Sequence, residues 1–284
     1  GEHRRRPRRD RRAVRGGSPG VIPEEIGKQA QARLYTDVGA FFTNTSRGPA
    51  HCAVCTAPAS SELCVQCASQ QATYGTRLAD LVVPLAYVRG WVNPPHQSEH
   101  HVRRYKHLTQ PSSKCLQDLK LMMLASTLLH GECIASTVGS WWQVLTFVPS
   151  QTRPGPEHPV AELARQVAAH TLNVQRILLT LGPEFATAPE RWPLPDRFVV
   201  APEFVPVVVG RHVRVVDDTW VSGSKSQSAA LALKAAGAAV VTIVCIGRWL
   251  SYRWEEHRPL IENLSAPYDA MQCPVTGGAC PPAD

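Results

Sequence analysis

The residue types best suited to chemistry occur together in one short stretch, Asp217-Asp218-Thr219-Trp220-Val221-Ser222-Gly223-Ser224-Lys225. It follows an apolar strand signal at 212–216 and precedes an alanine- and leucine-rich helix signal at 226–236. A second strand signal at 240–246 completes a predicted βαβ unit with a right-handed crossover. Loop amides and a helix N-terminus point at one place in such a unit, and their partial positive charge binds an anion. The sequence therefore predicts a phosphate-binding loop here.

The two adjacent carboxylates narrow the choice of ligand. Asp217 and Asp218 would repel a bare phosphate, so we expect them to face sugar hydroxyls or a metal ion. A phosphorylated sugar satisfies both the acidic pair and the loop that follows it. The alternative is an ordinary strand-turn-helix corner with solvated Asp side chains.

A second group of reactive residues consists of two CxxC pairs, Cys52/Cys55 and Cys64/Cys67, separated by eight residues. Four thiolates from two tight turns satisfy tetrahedral Zn²⁺ with no open position, which indicates a structural zinc site. Metal binding can supply on the order of 10 kcal/mol to a module with few apolar residues. A redox pair and an iron–sulfur cluster are the alternatives.

The remaining cysteines fall into two groups. Cys115, Cys133 and Cys245 are isolated among apolar neighbours, which favours inert packed thiols. Cys273 and Cys280 lie in a Pro- and Gly-rich segment. They could bind a second metal, pair under oxidation, or belong to a disordered tail.

The formal charge of +7 is concentrated at one end of the chain. Residues 1–15 contain eight Arg against Glu2 and Asp10, which accounts for six of the seven positive charges. We expect a disordered arm that attracts polyanions, including nucleic acid. No apolar segment typical of a secretory signal follows the arm. The longest apolar tract, 229–247, contains Lys234 and is expected to be a buried helix and strand, so no membrane span and a cytoplasmic location are predicted.

The strand, the acidic pair and the loop together resemble the diphosphoribosyl-binding signature of type I phosphoribosyltransferases. The resemblance implies that Asp217 and Asp218 are catalytic-site residues that hold the ribose 2′ and 3′ hydroxyls. It also implies a substrate-binding loop that wraps the 5′-phosphate, formed by Val221, Ser222, Gly223, Ser224 and Lys225. The sequence departs from the family at Val221, Ser222 and Lys225, where threonines are usual. The resemblance therefore implies phosphate binding and leaves catalysis open.

A cysteine knuckle upstream of this signature resembles the ComF family, phosphoribosyltransferase-like proteins linked to DNA uptake in competent bacteria. Tyr105-Lys106 and the helix signal at 118–129 resemble another family segment. Pro149 and Ser150, followed by Arg153, resemble the pyrophosphate loop, with Arg153 as the cation for the leaving group. A surface arginine is the alternative. The proline-rich region 182–206 stands at the position of a flexible hood.

Four further side chains carry weaker signals. The loose cluster of His96, His100 and His101 favours solvated side chains over a metal site, and Lys106 favours a surface position over a phosphate contact.

The resemblance implies an α/β fold, a type I phosphoribosyltransferase-like, mostly parallel sheet flanked by helices, with a small N-terminal zinc knuckle. The predicted units are a basic, disordered arm with a short helix at 1–47 and the zinc knuckle at 48–75. The phosphoribosyltransferase-like domain spans 76–262, and a flexible Cys/Pro/Gly tail spans 263–284.

The implied function is binding of phosphoribosyl diphosphate with Mg²⁺, beside a structural zinc. An active enzyme would be a pentosyl glycosyltransferase that transfers the phosphoribosyl group to a nitrogen nucleophile and releases pyrophosphate. The alternative is a non-catalytic accessory protein of DNA uptake or DNA processing that binds single-stranded DNA. A phosphoribosyl-diphosphate sensor is a third possibility. The acceptor substrate and the oligomeric state are not readable from the sequence.

Overall fold

The computed structural model describes residues 24–168 and 173–281, so the predicted Arg-rich arm lies outside the described residues. The strands are β1 Thr43–Asn44, β2 Leu81–Arg89, β3 Val144–Phe147, β4 Gln175–Arg176, β5 Leu179–Leu181, β6 Phe198–Val200, β7 His212–Trp220 and β8 Val240–Leu250. The helices are α1 Glu24–Asp37, α2 Val65–Tyr74, α3 Gln97–Arg104, α4 Ser113–Val138, α5 Pro159–Ala164, α6 Val205–Val208, α7 Ser224–Ala235 and α8 Arg258–Asn263.

The strands of the described residues form a six-stranded sheet in the order β1-β2-β8-β7-β3-β4. Only the edge pair β1–β2 is antiparallel, and every other neighbouring pair is parallel. A separate antiparallel pair joins β5 to β6. The prediction of an α/β fold with a mostly parallel sheet flanked by helices is confirmed.

The central strands are buried on both faces, as parallel strands covered by helices must be. Along β7 the valines alternate between the two hydrophobic cores: Val216 belongs to one, and Val213 and Val215 belong to the other. The first core also contains α1, α4 and α5, and the second contains α7 and the β5–β6 pair. The sheet is therefore the middle of three layers.

The long helix α4 is a core element on the first face. The hydroxyl of Ser112 caps its start by accepting from the Cys115 N–H at 3.2 Å, and Gly139 ends it in a left-handed conformation. By length and composition α4 could cross a membrane, but half of its most apolar window is buried inside the protein. Leu119, Met122 and Met123 within it are fully buried, and they account for its apolar character.

The predicted βαβ unit is present, with different element bounds. β7 was expected to end at residue 216 but continues to Trp220, because Thr219 and Trp220 pair with Gly247 and Arg248 of β8. α7 begins two residues earlier than predicted, at Ser224. The acidic pair therefore lies inside the hydrogen-bonded end of a strand, where its geometry is fixed by the sheet.

The carboxyl-terminal segment, residues 264–281, differs from the predicted flexible tail because it is packed against the domain. Tyr268 and Cys273 are buried. The Ala270 N–H donates to the side-chain oxygen of Gln31 at 2.5 Å, and the Asp269 N–H donates to that of Asn44 at 2.7 Å. The other predicted unit boundaries stay predictions.

Candidate functional site

An open cleft of about 500 Å³ lies at the carboxyl ends of β3 and β7. This is the edge at which open α/β sheets bind ligands. All ten ligand-contacting residues predicted from the sequence line it: Asp217, Asp218, Val221, Ser222, Gly223, Ser224, Lys225, Pro149, Ser150 and Arg153. The structure thus brings two separate sequence segments to one place, while the role of each residue stays a prediction.

The two carboxylates face opposite sides of the sheet, as consecutive strand residues must. Asp217 faces α7, where its Oδ2 accepts a 2.5 Å hydrogen bond from the hydroxyl of Ser226. Asp218 faces the other layer, where its Oδ2 accepts a 2.7 Å hydrogen bond from the phenol of Tyr105 and also pairs with Lys106. Each carboxylate is therefore held by its own partners.

These surroundings shift the pKa values of Asp217 and Asp218 in opposite directions. Burial, and then the charge of Asp218, raise the pKa of Asp217 to about 7. Burial acts in the same direction on Asp218, but the ammonium of Lys106 and the donated hydrogen bonds outweigh it, and the pKa of Asp218 falls below its usual value. The pair thus carries a fixed charge at Asp218 and a carboxyl at Asp217 that titrates near neutral pH.

The loop between β7 and α7 depends on a glycine. Gly223 has φ of +73° and ends the loop at the N-cap of α7. A Cβ at this position would lie 2.1 Å from the ring of Trp220, so no larger residue fits. The first N–H groups of a helix have no acceptor within the helix. The first three residues of α7, Ser224 to Ser226, line the cleft. This geometry suits an anion such as a phosphate.

Buried side chains fix the loop from behind. The Nε2 of Gln70, in α2, donates to the carbonyl of Ser222 at 3.0 Å. A guanidinium nitrogen of Arg248, in β8, donates to the carbonyl of Val221 at 3.1 Å. Both carbonyls are thereby held away from the cleft, which leaves amides and hydroxyls to face a ligand.

The hydroxyl of Ser224 has a structural partner in the proline-rich region. Arg197, which is buried, donates to this hydroxyl, and the hydroxyl lies 3.1 Å from the carbonyl of Trp192. The region 182–206, predicted as a flexible hood, therefore contains β6, which pairs with β5 just before the region, and an anchor to the loop. Ser224 thus reaches the cleft with its side chain already engaged, and its N–H donates to the hydroxyl of Ser222 at 3.4 Å.

Cationic side chains surround the cleft. Lys225 is exposed at the start of α7. Arg153 donates to the carbonyls of His107 and Leu108 at 3.3 and 3.1 Å, which ties the loop after β3 to the loop after Lys106. The cleft is thus lined by four cations and by three carboxylates, a balance suited to a polyanion with sugar hydroxyls; the cations are Lys106, Arg153, Arg191 and Lys225, and the carboxylates are Asp217, Asp218 and Glu190.

Sequence reasoning missed several cleft residues. Lys106 is partly exposed, as expected, but it also pairs with Asp218, which the sequence did not indicate. His158 caps α5, stacks on Phe147 with ring centroids 5.9 Å apart, and has its pKa lowered to about 4, chiefly by burial. Trp91 and Arg191 also line the cleft. The only signal for His158 in the sequence is its place before Pro159 at a helix start.

The expectation of solvated side chains in the histidine cluster holds for His100, which is exposed, but not for His101, which is buried, and His96 is half-buried. His96 caps α3 by accepting from the Ser98 N–H at 3.2 Å, and His101 is buried with its Nε2 3.1 Å from Asp118 Oδ2. These histidines therefore have structural roles, because α3 packs against α4 rather than standing in solvent.

The four cysteines of the two CxxC pairs come together in one cluster, with all sulfur atoms within 4.8 Å of one another. Cys52, Cys55 and Cys67 are buried. Cys55 Sγ and Cys64 Sγ are 3.7 Å apart. Four sulfurs at this spacing could hold a tetrahedral metal ion such as zinc.

Arg248 joins this cysteine cluster to the cleft. Its burial alone would lower the pKa of the guanidinium, but the nearby Cys55 thiolate outweighs that effect and raises it. The same guanidinium donates to the loop carbonyl of Val221. Arg248 thus lies between the thiols and the loop, and a metal-bound thiolate cluster, which would keep a net negative charge, would have this buried guanidinium as its counter-charge.

Comparisons with known proteins add little to this geometry. No family model matches the chain, and no curated protein matches it. One solved structure that matches is titled "Structure of the allosteric regulatory enzyme of purine biosynthesis", at 18% identity and a TM-score of 0.32. The match covers 51% of this chain and 30% of that one, so the chain spans less than a third of its length. A TM-score this low carries no argument about function.

Proposed function

We propose that this protein binds phosphoribosyl diphosphate with Mg²⁺, as a zinc-stapled, ComF-type phosphoribosyltransferase-like protein. One observation carries the proposal: an acidic pair at the end of a central parallel strand leads directly into a left-handed glycine and a helix N-terminus, all in one cleft. A site of this kind offers carboxylates for vicinal hydroxyls and amides for a phosphate a few ångströms away. A 5-phosphorylated ribose presents both groups.

The remaining cleft residues suit the diphosphate. Lys106 and Arg153 line the same cleft as Pro149 and Ser150, and Arg153 donates to the carbonyl of His107, the residue after Lys106. Pyrophosphate needs cationic donors as negative charge develops on it. Because the carboxylates already accept from Ser226, Tyr105 and Lys106, we propose that Mg²⁺ is held mainly by diphosphate oxygens and water.

Zinc is proposed for the four-cysteine cluster, which offers no ligand position to a substrate. Its function is then structural: the cluster positions α2, and Gln70 in that helix holds the carbonyl of Ser222. The expected cytoplasmic location agrees with reduced thiols, which metal binding requires.

Turnover is a separate proposal. The hydroxyl-free Val221 and the cationic Lys225 replace family threonines, and the hydroxyl of Ser224 is engaged by Arg197. If the protein is an enzyme, it transfers the phosphoribosyl group to a nitrogen nucleophile. Pyrophosphate release measured over a panel of such nucleophiles tests this step.

The binding proposal is tested by the ligand-induced rise in melting temperature. Phosphoribosyl diphosphate with Mg²⁺ should raise the Tm, and the double variant Asp217→Asn with Asp218→Asn should lose the rise. Glu262→Gln, an exposed carboxylate change on α8, is the matched control and should keep it. Separate titrations with ribose 5-phosphate and pyrophosphate report on the two halves of the site. No Tm rise in the unaltered protein would refute the proposal.

Single-stranded DNA binding is retained as the second candidate function because the cleft rim is cationic. Filter binding should separate two sources of affinity. If deleting residues 1–15 alone abolishes DNA affinity, the affinity comes from the charge of the arm. If replacing Cys52 and Cys55 with Ser abolishes it, the affinity comes from the cysteine module.

A further inference from the structure

A second group of metal-ligating side chains lies far from the first in sequence. The ligand atoms of His130, Cys273 and Cys280 are all within 4.8 Å of one another. His130 Nδ1 is 3.1 Å from Cys280 Sγ, and Cys273 Sγ is 3.5 Å from Cys133 Sγ. Three thiols and one imidazole thus meet where the carboxyl-terminal segment crosses α4, whereas the sequence suggested that Cys133 was an isolated packed thiol.

We propose that His130, Cys133, Cys273 and Cys280 bind a second structural zinc ion. Cys₃His is a common closed ligand set for this metal, and it leaves no position open for substrate. His130 and Cys133 are three residues apart in α4, so they lie on the same face of the helix and can bind one ion. The other two ligands come from one tight loop, so the site follows the usual arrangement of a helix face and a knuckle.

The imidazole is already oriented for metal binding. His130 is buried, and its Nε2 lies 2.8 Å from the carbonyl of Ala270, an acceptor that requires the proton on Nε2. The Nδ1 of a neutral ring is then unprotonated and faces Cys280. Metal-ligating histidines ordinarily donate their second ring N–H to such an acceptor, which fixes the tautomer and the ring plane.

The loop that carries the last two cysteines is built to bring them together. The Cys273 N–H donates to the carbonyl of Gly278 at 2.7 Å, and the Gly277 N–H donates to the carbonyl of Cys273 at 2.8 Å. Gly277 has φ of +80°, and a Cβ there would lie 2.9 Å from the Cβ of Arg47. The chain therefore folds back on itself so that Cys280 returns to Cys273.

Arg47 lies between the two cysteine clusters. Its Nε donates to the carbonyl of Pro274 at 3.1 Å, and its Nη1 donates to the carbonyl of Ala53 at 2.7 Å. One guanidinium thus bridges the knuckle at residues 52–67 and the loop at 273–280. Its positive charge favours thiolates on both sides.

Metal binding would add to the contacts that hold this segment. Tyr268 and Ala270 already pack in the first hydrophobic core, and a zinc ion would also join the loop at 273–280 to α4. A disulfide between two of the three cysteines is the competing arrangement. It would leave the buried His130 and one thiol unused, whereas a zinc ion uses all four groups.

The test is zinc content of the full chain by elemental analysis, with native mass spectrometry as a second readout. We expect two zinc ions per chain. Cys273→Ser should lower the content to one, and so should Cys52→Ser, because the two sites are separate. Cys115→Ser, a buried thiol in the same helix α4 that belongs to neither cluster, is the matched control and should retain two.

The outcomes separate the two sites. A single zinc in the unaltered protein that Cys52→Ser removes would overturn the second site. A single zinc that Cys273→Ser removes would support it and refute zinc at the first. Because Cys273→Ser could fail to fold, thiol alkylation of the unaltered protein gives an independent reading. Protection of Cys133, Cys273 and Cys280 that ends on adding a chelator supports the site, and a mass about 2 Da low, from a disulfide, overturns it.

Discussion

Gln70, in the helix of the cysteine knuckle, donates a 3.0 Å hydrogen bond from its side chain to the carbonyl of Ser222, in the loop between β7 and α7. The two residues are 152 positions apart. Gln70 is buried, so this contact is shielded from water. It makes the knuckle part of the framework that shapes the cleft rather than a separate appendage.

We predict that Gln70→Met weakens ligand binding. The Met side chain fills the same space but leaves the carbonyl of Ser222 without its donor, which costs about 1–3 kcal/mol for a buried group. The dissociation constant for phosphoribosyl diphosphate should rise by at most roughly 5- to 150-fold, as measured by calorimetry. Gln71→Met, on the exposed face of the same helix, should leave it unchanged. Equal affinities for both variants would show that the knuckle does not hold the loop.

The acidic pair predicts two opposite effects of pH on stability. Asp217 has its pKa raised to about 7, so the folded state binds more protons than the unfolded state between about pH 4 and pH 7. Stability from this group is therefore lost as pH rises through that window. Asp217→Asn mimics the protonated acid and should be more stable than the unaltered protein at pH 8, by on the order of 1–3 kcal/mol, and similar at pH 4.

Asp218→Asn is the matched comparison and should act in the other direction. The pKa of Asp218 is lowered, so its contribution is fully present above the ordinary pKa and is lost as pH falls below it. Removing this carboxylate leaves Lys106 unpaired at pH 8 and should destabilise the protein by roughly 1–3 kcal/mol. Urea unfolding at pH 4 and pH 8 measures both. The same sign for the two variants at pH 8 would contradict the assignment.

Gly223→Ala should be far more damaging than an alanine at another left-handed glycine. Gly223 and Gly139 have φ of +73° and +75°, so the backbone cost is nearly the same, about 1 kcal/mol. A Cβ at Gly139 meets no described atom within 4 Å, whereas one at Gly223 meets Trp220 at 2.1 Å. Gly223→Ala should lose additional stability and also ligand binding. Similar unfolding midpoints for both variants would mean that the Trp220 contact is not restrictive.

Both lysines of the cleft should contribute to ligand binding, but only Lys106 should also contribute to stability. Lys106 pairs with the buried carboxylate of Asp218, and Lys225 is exposed at the loop. Lys106→Met should lower stability at pH 8 by about 1–3 kcal/mol. Lys225→Met should leave stability nearly unchanged but reduce ligand affinity, more strongly at low salt because the charge is exposed. Calorimetric titrations at two salt concentrations, beside urea unfolding, separate these outcomes.

Local patterns alone determined the short-range features of this protein. The CxxC spacing placed four thiols within one module, and the strand-loop-helix order predicted the βαβ unit with its glycine-centred loop. Both features are made within a few residues of chain, where spacing and turn preferences fix the geometry. The expectation of a mostly parallel sheet came from the resemblance of the acidic pair and its loop to type I phosphoribosyltransferases, and the local pattern itself predicted only the one βαβ unit.

The tertiary structure decided which distant residues meet. Tyr105 and Asp218 are 113 positions apart, and Cys133 and Cys273 are 140 apart. Neither pairing has a local signature, because each depends on which helix covers which face of the sheet. The same long-range packing gave Asp217 and Asp218 pKa shifts of opposite direction. It also placed Cys273 and Cys280, in a segment expected to be a flexible tail, beside His130.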